Sequence, residues 1–316
     1  MMRRLSRAQI PLLATVSVFV LLYAAAAMRY PGFLSWAVIR NLLADNAFLG
    51  LAAIGMTFVI LAGGIDLSVG AMMGFSSILI AKLSERQVHP LLAIAAALAL
   101  GTGLGAGMGA LIRFMALPAF LVTLAGMFFI RGLAFVISLE AVTIKHRFYE
   151  AIGDFSLQAL PVVTVIFLIA LVAAVYLAHY TRFGRNIYAI GGNEPSALLM
   201  GLPVGATKVR LYALSGFCSS LAGVVYTFYT SSGNATAGTL LELDAIAAVV
   251  IGGTLLSGGV GTVFGTLVGV LILGLIQTII TFEGTLSSWW TKIAIGMLLL
   301  AFILLQRVLQ TRATRG

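Results

Sequence analysis

Apolar residues in this chain fall into long unbroken runs, and the polar positions gather between them. Such runs predict helices that cross a membrane, since about 20 apolar residues rising about 1.5 Å each span the hydrocarbon core. Ten segments read this way, at about 10–28, 47–62, 67–82, 91–112, 118–139, 159–178, 211–230, 243–256, 260–281 and 288–306. The first resembles a signal peptide, but its apolar stretch exceeds a typical h-region, so it is kept as a span. The expected fold class is all-α: a polytopic membrane helix bundle, one domain over 1–316. Between the segments, 29–46 reads as a short interfacial loop with Phe33 and Trp36, and 140–158 as an aqueous loop. The longest polar connection is 180–210.

Two glycine-rich stretches interrupt the apolar pattern. Gly63 to Gly70 reads GGIDLSVG and residues 252–259 read GGTLLSGG, matching at five of eight positions in a direct alignment. Hydrocarbon leaves backbone groups no water to bond, so a broken helix must be buried in protein or line a wet cavity. Glycine-interrupted helices in both halves of a chain point to a transport pathway at the repeat interface, near the membrane midplane. Gly63, Gly64, Asp66 and Ser68 in the first copy, with Gly252, Gly253, Thr254 and Ser257 in the second, are the candidate path residues. Asp66 has no counterpart, because Leu255 stands in its place. A carboxylate in such a stretch either caps the next helix or contacts substrate, and the cap is the preferred reading. Arg131 either snorkels to an interface or pairs with a carboxylate such as Asp66, and snorkelling is the simpler case. Glycines recur every fourth residue at 101, 105 and 109 and again at 261, 265 and 269. That spacing predicts close helix packing inside the bundle.

Composition agrees with a membrane protein: 61% hydrophobic and 9% charged residues, against roughly 45–50% apolar in soluble domains. The net charge of +9 is read for sidedness rather than for nucleic acid. Ten spans place both termini and the 180–210 loop together with Arg3, Arg4, Arg7, Arg113, Arg182, Arg185, Lys208, Arg210, Arg307, Arg312 and Arg315, opposed only by Glu194. Positive residues stay inside, so that side is cytoplasmic. Asp244, opening its segment, suits the positive end of a helix dipole. Cys218 is the only cysteine, which excludes an intrachain disulfide.

Within the cytoplasmic loop, Asn193 to Gly201 reads as a short helix. Asn193 is the N-cap, Glu194 and Pro195 suit the first turn, and Gly201 fits the left-handed position after it. Two turns do not persist alone in water. The helix needs a dock, either on its own bundle or on a partner, and Leu198, Leu199 and Met200 give it an apolar side.

The first glycine-rich break, the segment Tyr188 to Glu194 (YAIGGNE) and the segment Glu242 to Thr254 (ELDAIAAVVIGGT) together resemble the permease subunits of ribose/galactose-type ABC importers. Asp45 to Gly50, Leu124 to Phe129 and Gly284 to Lys292 are similar, more narrowly, to the permeases of galactofuranose importers. The resemblance implies an inner-membrane pore, a separate ATP-binding subunit, a periplasmic sugar-binding protein and a second, related permease as dimer partner. It also makes Asn193, Glu194, Ala197, Leu198, Leu199 and Gly201 the ATPase-coupling element. ATP would be used by the partner subunit, and no cofactor or metal is expected on this chain.

Other classes lack their parts. The chain has no GxxxxGK[ST] sequence, so it is not the ATPase. A secondary sugar transporter would carry an intramembrane ionisable relay, for which Asp66 and Arg131 are too few. His89, His146 and His179 are scattered at loop edges without a metal or nucleophile motif, which argues against an enzyme.

Overall fold

The computed structural model describes residues 9–157, 160–285, 287 and 289–314. Arg3, Arg4, Arg7 and Arg315 lie outside them, as do the side chains of Arg307 and Arg312. The helices are α1 (Gln9–Arg29), α2 (Trp36–Asp45), α3 (Ala47–Leu61), α4 (Val69–Glu85), α5 (Pro90–Phe114), α6 (Ala119–Ile137), α7 (Arg147–Asp154), α8 (Val162–Tyr180), α9 (Arg182–Gly192), α10 (Glu194–Leu199), α11 (Val204–Thr230), α12 (Leu241–Ile251), α13 (Val263–Glu283) and α14 (Trp289–Thr314). Two-residue strands β1 (Val142–Thr143) and β4 (Ser232–Gly233) pair antiparallel, as do β2 (Ser156–Leu157) and β3 (Leu160–Pro161).

Glycine spacing sets the centre of the bundle. Gly101, Gly105 and Gly109 form one buried face of α5 that lies directly on α11, where a Cβ at Gly105 would overlap the Tyr212 carbonyl and crowd the Gly216 Cα. Small residues let two backbones approach this closely, and dispersion contacts then hold them. Gly103 and Gly107 face the other way into open space, so α5 is packed on one face only, not enclosed as expected. Gly105→Val is expected to cost about 3 kcal/mol, at the upper end for overpacking because both neighbours are backbone. Gly103→Val is the control. Thermal unfolding in detergent, with the midpoint lowered only for Gly105→Val, checks this.

All ten predicted segments are helical, but ten is not the number of spans. Among the described residues, six helices are long and apolar enough to cross a membrane, and counting α2 with α3, bent by 52°, gives seven. α4 has 17 residues and α12 only 11, and both are mostly buried by other helices rather than exposed to lipid. Length and enclosure, which an apolar run does not reveal, separate them from the rest.

The glycine-rich stretches are chain reversals rather than interruptions within one helix. The start of α3 meets the end of α11, where Tyr229 donates to Asp45 at 2.8 Å and Phe48 packs on Tyr226. α4 runs back toward the same place, with Ser77 at its middle bonded to Asn234 just beyond α11. The chain therefore turns back between them. α12 and α13 form a second hairpin, in which Gly252 lies on Gly265 and Ala248 on Gly269. In the second glycine ladder, Gly265 and Gly269 make this helix contact, whereas Gly261 belongs to the turn.

The regions read as loops carry structure. Residues 29–46 include α2, and Asn46 bonds the Leu42 carbonyl at 2.8 Å where the chain bends into α3. Residues 140–157 include α7, whose Tyr149 is buried against Phe148 and Phe228. That burial pushes the Tyr149 phenol up to about 12. Where α1 leads toward α2, Tyr30 donates to Glu283, and its phenol is raised above its ordinary value chiefly by that bond. Arg131 neither snorkels nor pairs with Asp66: its guanidinium donates to the Ala235 and Ala237 carbonyls, fixing the segment between β4 and α12. Asp244, in the first turn of α12, is held by Lys292 at 2.6 Å.

Candidate functional site

Both reversals begin with the same helix ending. The Gly63 amide bonds the Ile60 carbonyl and Gly64 the Val59 carbonyl; Gly253 bonds Val250 and Thr254 bonds Val249. These are matched Schellman endings, closed by left-handed glycines at Gly63 (φ +79°) and Gly253 (φ +90°). The structural repeat thus pairs Gly63 with Gly253, one residue off the direct sequence alignment. Identical glycine pairs hid the shift, because either register matches a glycine.

After its ending, the first turn is tied inward by Asp66. Oδ1 accepts from the Ser68 amide at 2.9 Å and from the Ser68 hydroxyl at 2.6 Å, and Oδ2 accepts from Ser215 of α11 at 2.7 Å. Asp66 therefore closes the turn ahead of α4 rather than capping that helix, whose N-cap position is Ser68, and it also fastens the turn to α11. Thr123 of α6 adds a bond to the Ile65 carbonyl at 3.2 Å. Asp66 and Ser68 are buried, as are Gly252, Gly253 and Thr254, whereas Gly63 and Ser257 are exposed.

The two turns touch. The Gly259 amide donates to the Leu61 carbonyl at 2.9 Å, and the junction sits against the end of α9. Gly191 packs on the Leu61 carbonyl and the Gly259 amide, and the Tyr188 hydroxyl donates to the Gly261 carbonyl at 2.9 Å. Burial raises the Tyr188 phenol above its ordinary value, which keeps it a donor. Both turns lie on the side of the bundle that carries α9 and α10, and each is the tip of a hairpin.

The short helix is built as its residues predict. Asn193 Oδ1 accepts from the Ser196 amide at 2.8 Å, and Gly201 is left-handed at φ +76°. Glu194 pairs with Lys208 at 2.6 Å, and Ala197 is fully buried toward the bundle. Leu198, Leu199 and Met200 face outward, Leu199 being 89% exposed. Sequence reasoning missed α9, although Phe183, Ile187 and Ile190 stand at helical spacing after the Thr181 cap. A cavity of about 550 Å³ lies between α5, α10 and α11, lined in part by Gly63, Gly64, Arg113, Glu194, Lys208 and Tyr212. The first turn and the short helix thus share one wall.

The histidines serve structure. His89 and His146 accept amides at the starts of α5 and α7, and His179 stacks on Tyr188. Among the described residues no cluster of metal-binding side chains occurs.

Comparison with known proteins agrees with a transport role. The chain is 52% identical over 304 residues to the inner membrane ABC transporter permease protein YjfF of Escherichia coli, covering 94% of this chain and 92% of that one. It is 45% identical to the ribose import permease protein RbsC of Bacillus subtilis, covering 88% and 87% of the two chains. It is 36% identical to the fructose import permease protein FruG of Bifidobacterium longum, covering 96% and 92%. No solved structure is significantly similar to the chain. Residues 38–303 match the family described as the branched-chain amino acid transport system permease component, and the chain belongs to that family of transport permeases, which are not enzymes.

Proposed function

We propose that this chain is the pore-forming permease of an ATP-driven importer that carries a monosaccharide across the bacterial inner membrane. The observation that carries the proposal is α10, an anchored helix whose outer face is apolar and unpartnered in this chain, with Leu199 at 89% exposure. An amphipathic helix of this kind suits a groove on another protein. A separate ATP-binding subunit is the partner that the missing nucleotide motif requires. A periplasmic sugar-binding protein, a second related permease and lipid complete the assembly, with both termini cytoplasmic. The ribose and fructose import permeases among the relatives support a sugar substrate, and the similarity to galactofuranose importers favours galactofuranose.

In this reading the two turns are the moving part beside the path. Gly63, Gly64, Asp66 and Ser68 with Gly252, Gly253, Thr254 and Ser257 respond together, because α9 touches both turns and leads directly into α10. Asn193, Glu194, Ala197, Leu198, Leu199 and Gly201 form the coupling element.

Leu199→Glu places a charge in the proposed dock, which costs about 2 kcal/mol or roughly thirtyfold in ATPase affinity. Membrane insertion is expected to be unchanged, because Leu199 points away from the bundle. Co-purification of the ATPase and ATP-dependent uptake, measured side by side, check this. Retention of both at wild-type levels, or sugar flux by the purified chain without an ATPase, would overturn the proposal.

A further inference from the structure

A second cavity, of about 310 Å³, lies at the opposite end of the bundle between the start of α3, α12, the last part of α13 and the start of α14. Its wall sets Asn46, Asp244, Gln277, Thr281, Thr291 and Lys292 beside Leu49, Leu273, Ile280 and Ile295, the six polar residues coming from the α2–α3 junction and from α12, α13 and α14. Asn46 and Thr291 are buried, Asp244 is half-buried, and Gln277, Thr281 and Lys292 are exposed; polar side chains grouped on membrane helices mark function. Part of their bonding capacity is already used. Lys292 holds both oxygens of Asp244 at 2.6 and 2.8 Å, Asn46 donates to the Leu42 carbonyl, and Thr281 donates to the Gln277 carbonyl at 2.9 Å. The Gln277 amide and the Thr291 hydroxyl have no partner among the described residues, and the Asn46 side-chain oxygen accepts no bond among them.

We infer that this cavity is a monosaccharide site on the path, a polyol vestibule on the side away from α9. Three observations specify that ligand. The wall mixes donors and acceptors, as a ring of hydroxyl groups requires. Its one cation and one anion neutralise each other, so it favours a neutral solute over an ionic one. Its volume stands at the small end of small-molecule sites, about 300 Å³, where a single sugar ring fits and a lipid chain would strand the polar wall. The inference rests on the importer reading and adds to it a place where the sugar meets this chain. None of these residues belongs to either glycine-rich turn.

The test uses the complete importer, with its ATPase, second permease and binding protein, in proteoliposomes. Gln277→Cys and Thr281→Cys are made separately in a Cys218→Ser background, which removes the only native thiol of this chain, and labelling is read on the isolated permease band. A charged, membrane-impermeant thiol reagent is applied from the side opposite α9, with and without turnover on D-ribose, D-fructose or D-galactofuranose. Both cysteines are expected to react, and turnover on the transported sugar is expected to at least halve the rate. Gln277→Leu is expected to lower uptake about tenfold, as for loss of a polar contact or two, while the ATPase stays bound. Cysteines inert to the reagent, or reacting at rates indifferent to sugar while uptake proceeds, would overturn the site and leave the importer reading standing. Absence of ATP-dependent uptake by the unsubstituted complex would overturn the importer reading and the site with it.

Discussion

Gly191→Ala is expected to abolish ATP-dependent uptake while leaving the protein inserted and bound to its ATPase. A Cβ at this position would overlap the Leu61 carbonyl oxygen and approach the Gly259 amide nitrogen to 2.5 Å. Both are backbone atoms of the two turns, and they bond each other at 2.9 Å. A flexible side chain could swing aside, but these atoms cannot, so α9 must lift off the junction or the junction must open. The cost is about 3 kcal/mol, at the high end for one added methyl. α10 keeps its Asn193 cap and its Lys208 ion pair, which is why binding of the ATPase survives. The neighbouring position supplies the control, because a Cβ on Gly192 meets nothing within 4 Å. Uptake and ATP hydrolysis measured for both variants decide the matter: equal uptake by Gly191→Ala and Gly192→Ala would remove α9 from the coupling route.

The second large effect is expected at Asp66. Leucine there leaves the Ser68 amide, the Ser68 hydroxyl and the Ser215 hydroxyl without their acceptor in a buried site. Stranding buried donors costs about 1–3 kcal/mol each, so Asp66→Leu is expected to lose about 4 kcal/mol or more and to yield little folded protein. Asparagine keeps an oxygen for Ser68 and offers an amide to the Ser215 oxygen, so Asp66→Asn is expected to fold and to retain transport. Size-exclusion profiles after a heat step, read beside uptake, separate the two variants. If asparagine fails as completely as leucine, a charge is needed and the hydrogen-bonding account is wrong.

Much of this architecture is legible in the sequence because its causes are local. Apolar runs predict the helices, glycines every fourth residue predict that α5 packs closely on a neighbour, and Asn193 with Gly201 predicts both ends of α10. What escapes depends on partners distant in the chain. Arg131 looks like a snorkelling cation because nothing nearby in sequence shows that the Ala235 and Ala237 carbonyls will face it. The glycine breaks look like interruptions because only the finished contacts of α3, α4 and α11 show that the chain reverses there. The polar cavity is hidden for the same reason, as its residues come from the α2–α3 junction and from α12, α13 and α14, far apart in the chain.

The Asp66–Ser215 bond has a consequence for biogenesis. Its two ends lie 149 residues apart, and α11 leaves the ribosome long after the α3–α4 hairpin has been made. Until then Asp66 has only its neighbour Ser68 to satisfy it, and a carboxylate with an open face resists hydrocarbon. The first hairpin must therefore wait at the water boundary or inside the insertion machinery, and α11 licenses its burial. Nascent chains that stop before residue 215 should be held back from lipid, exposed to quality control, and degraded faster than chains that extend past it.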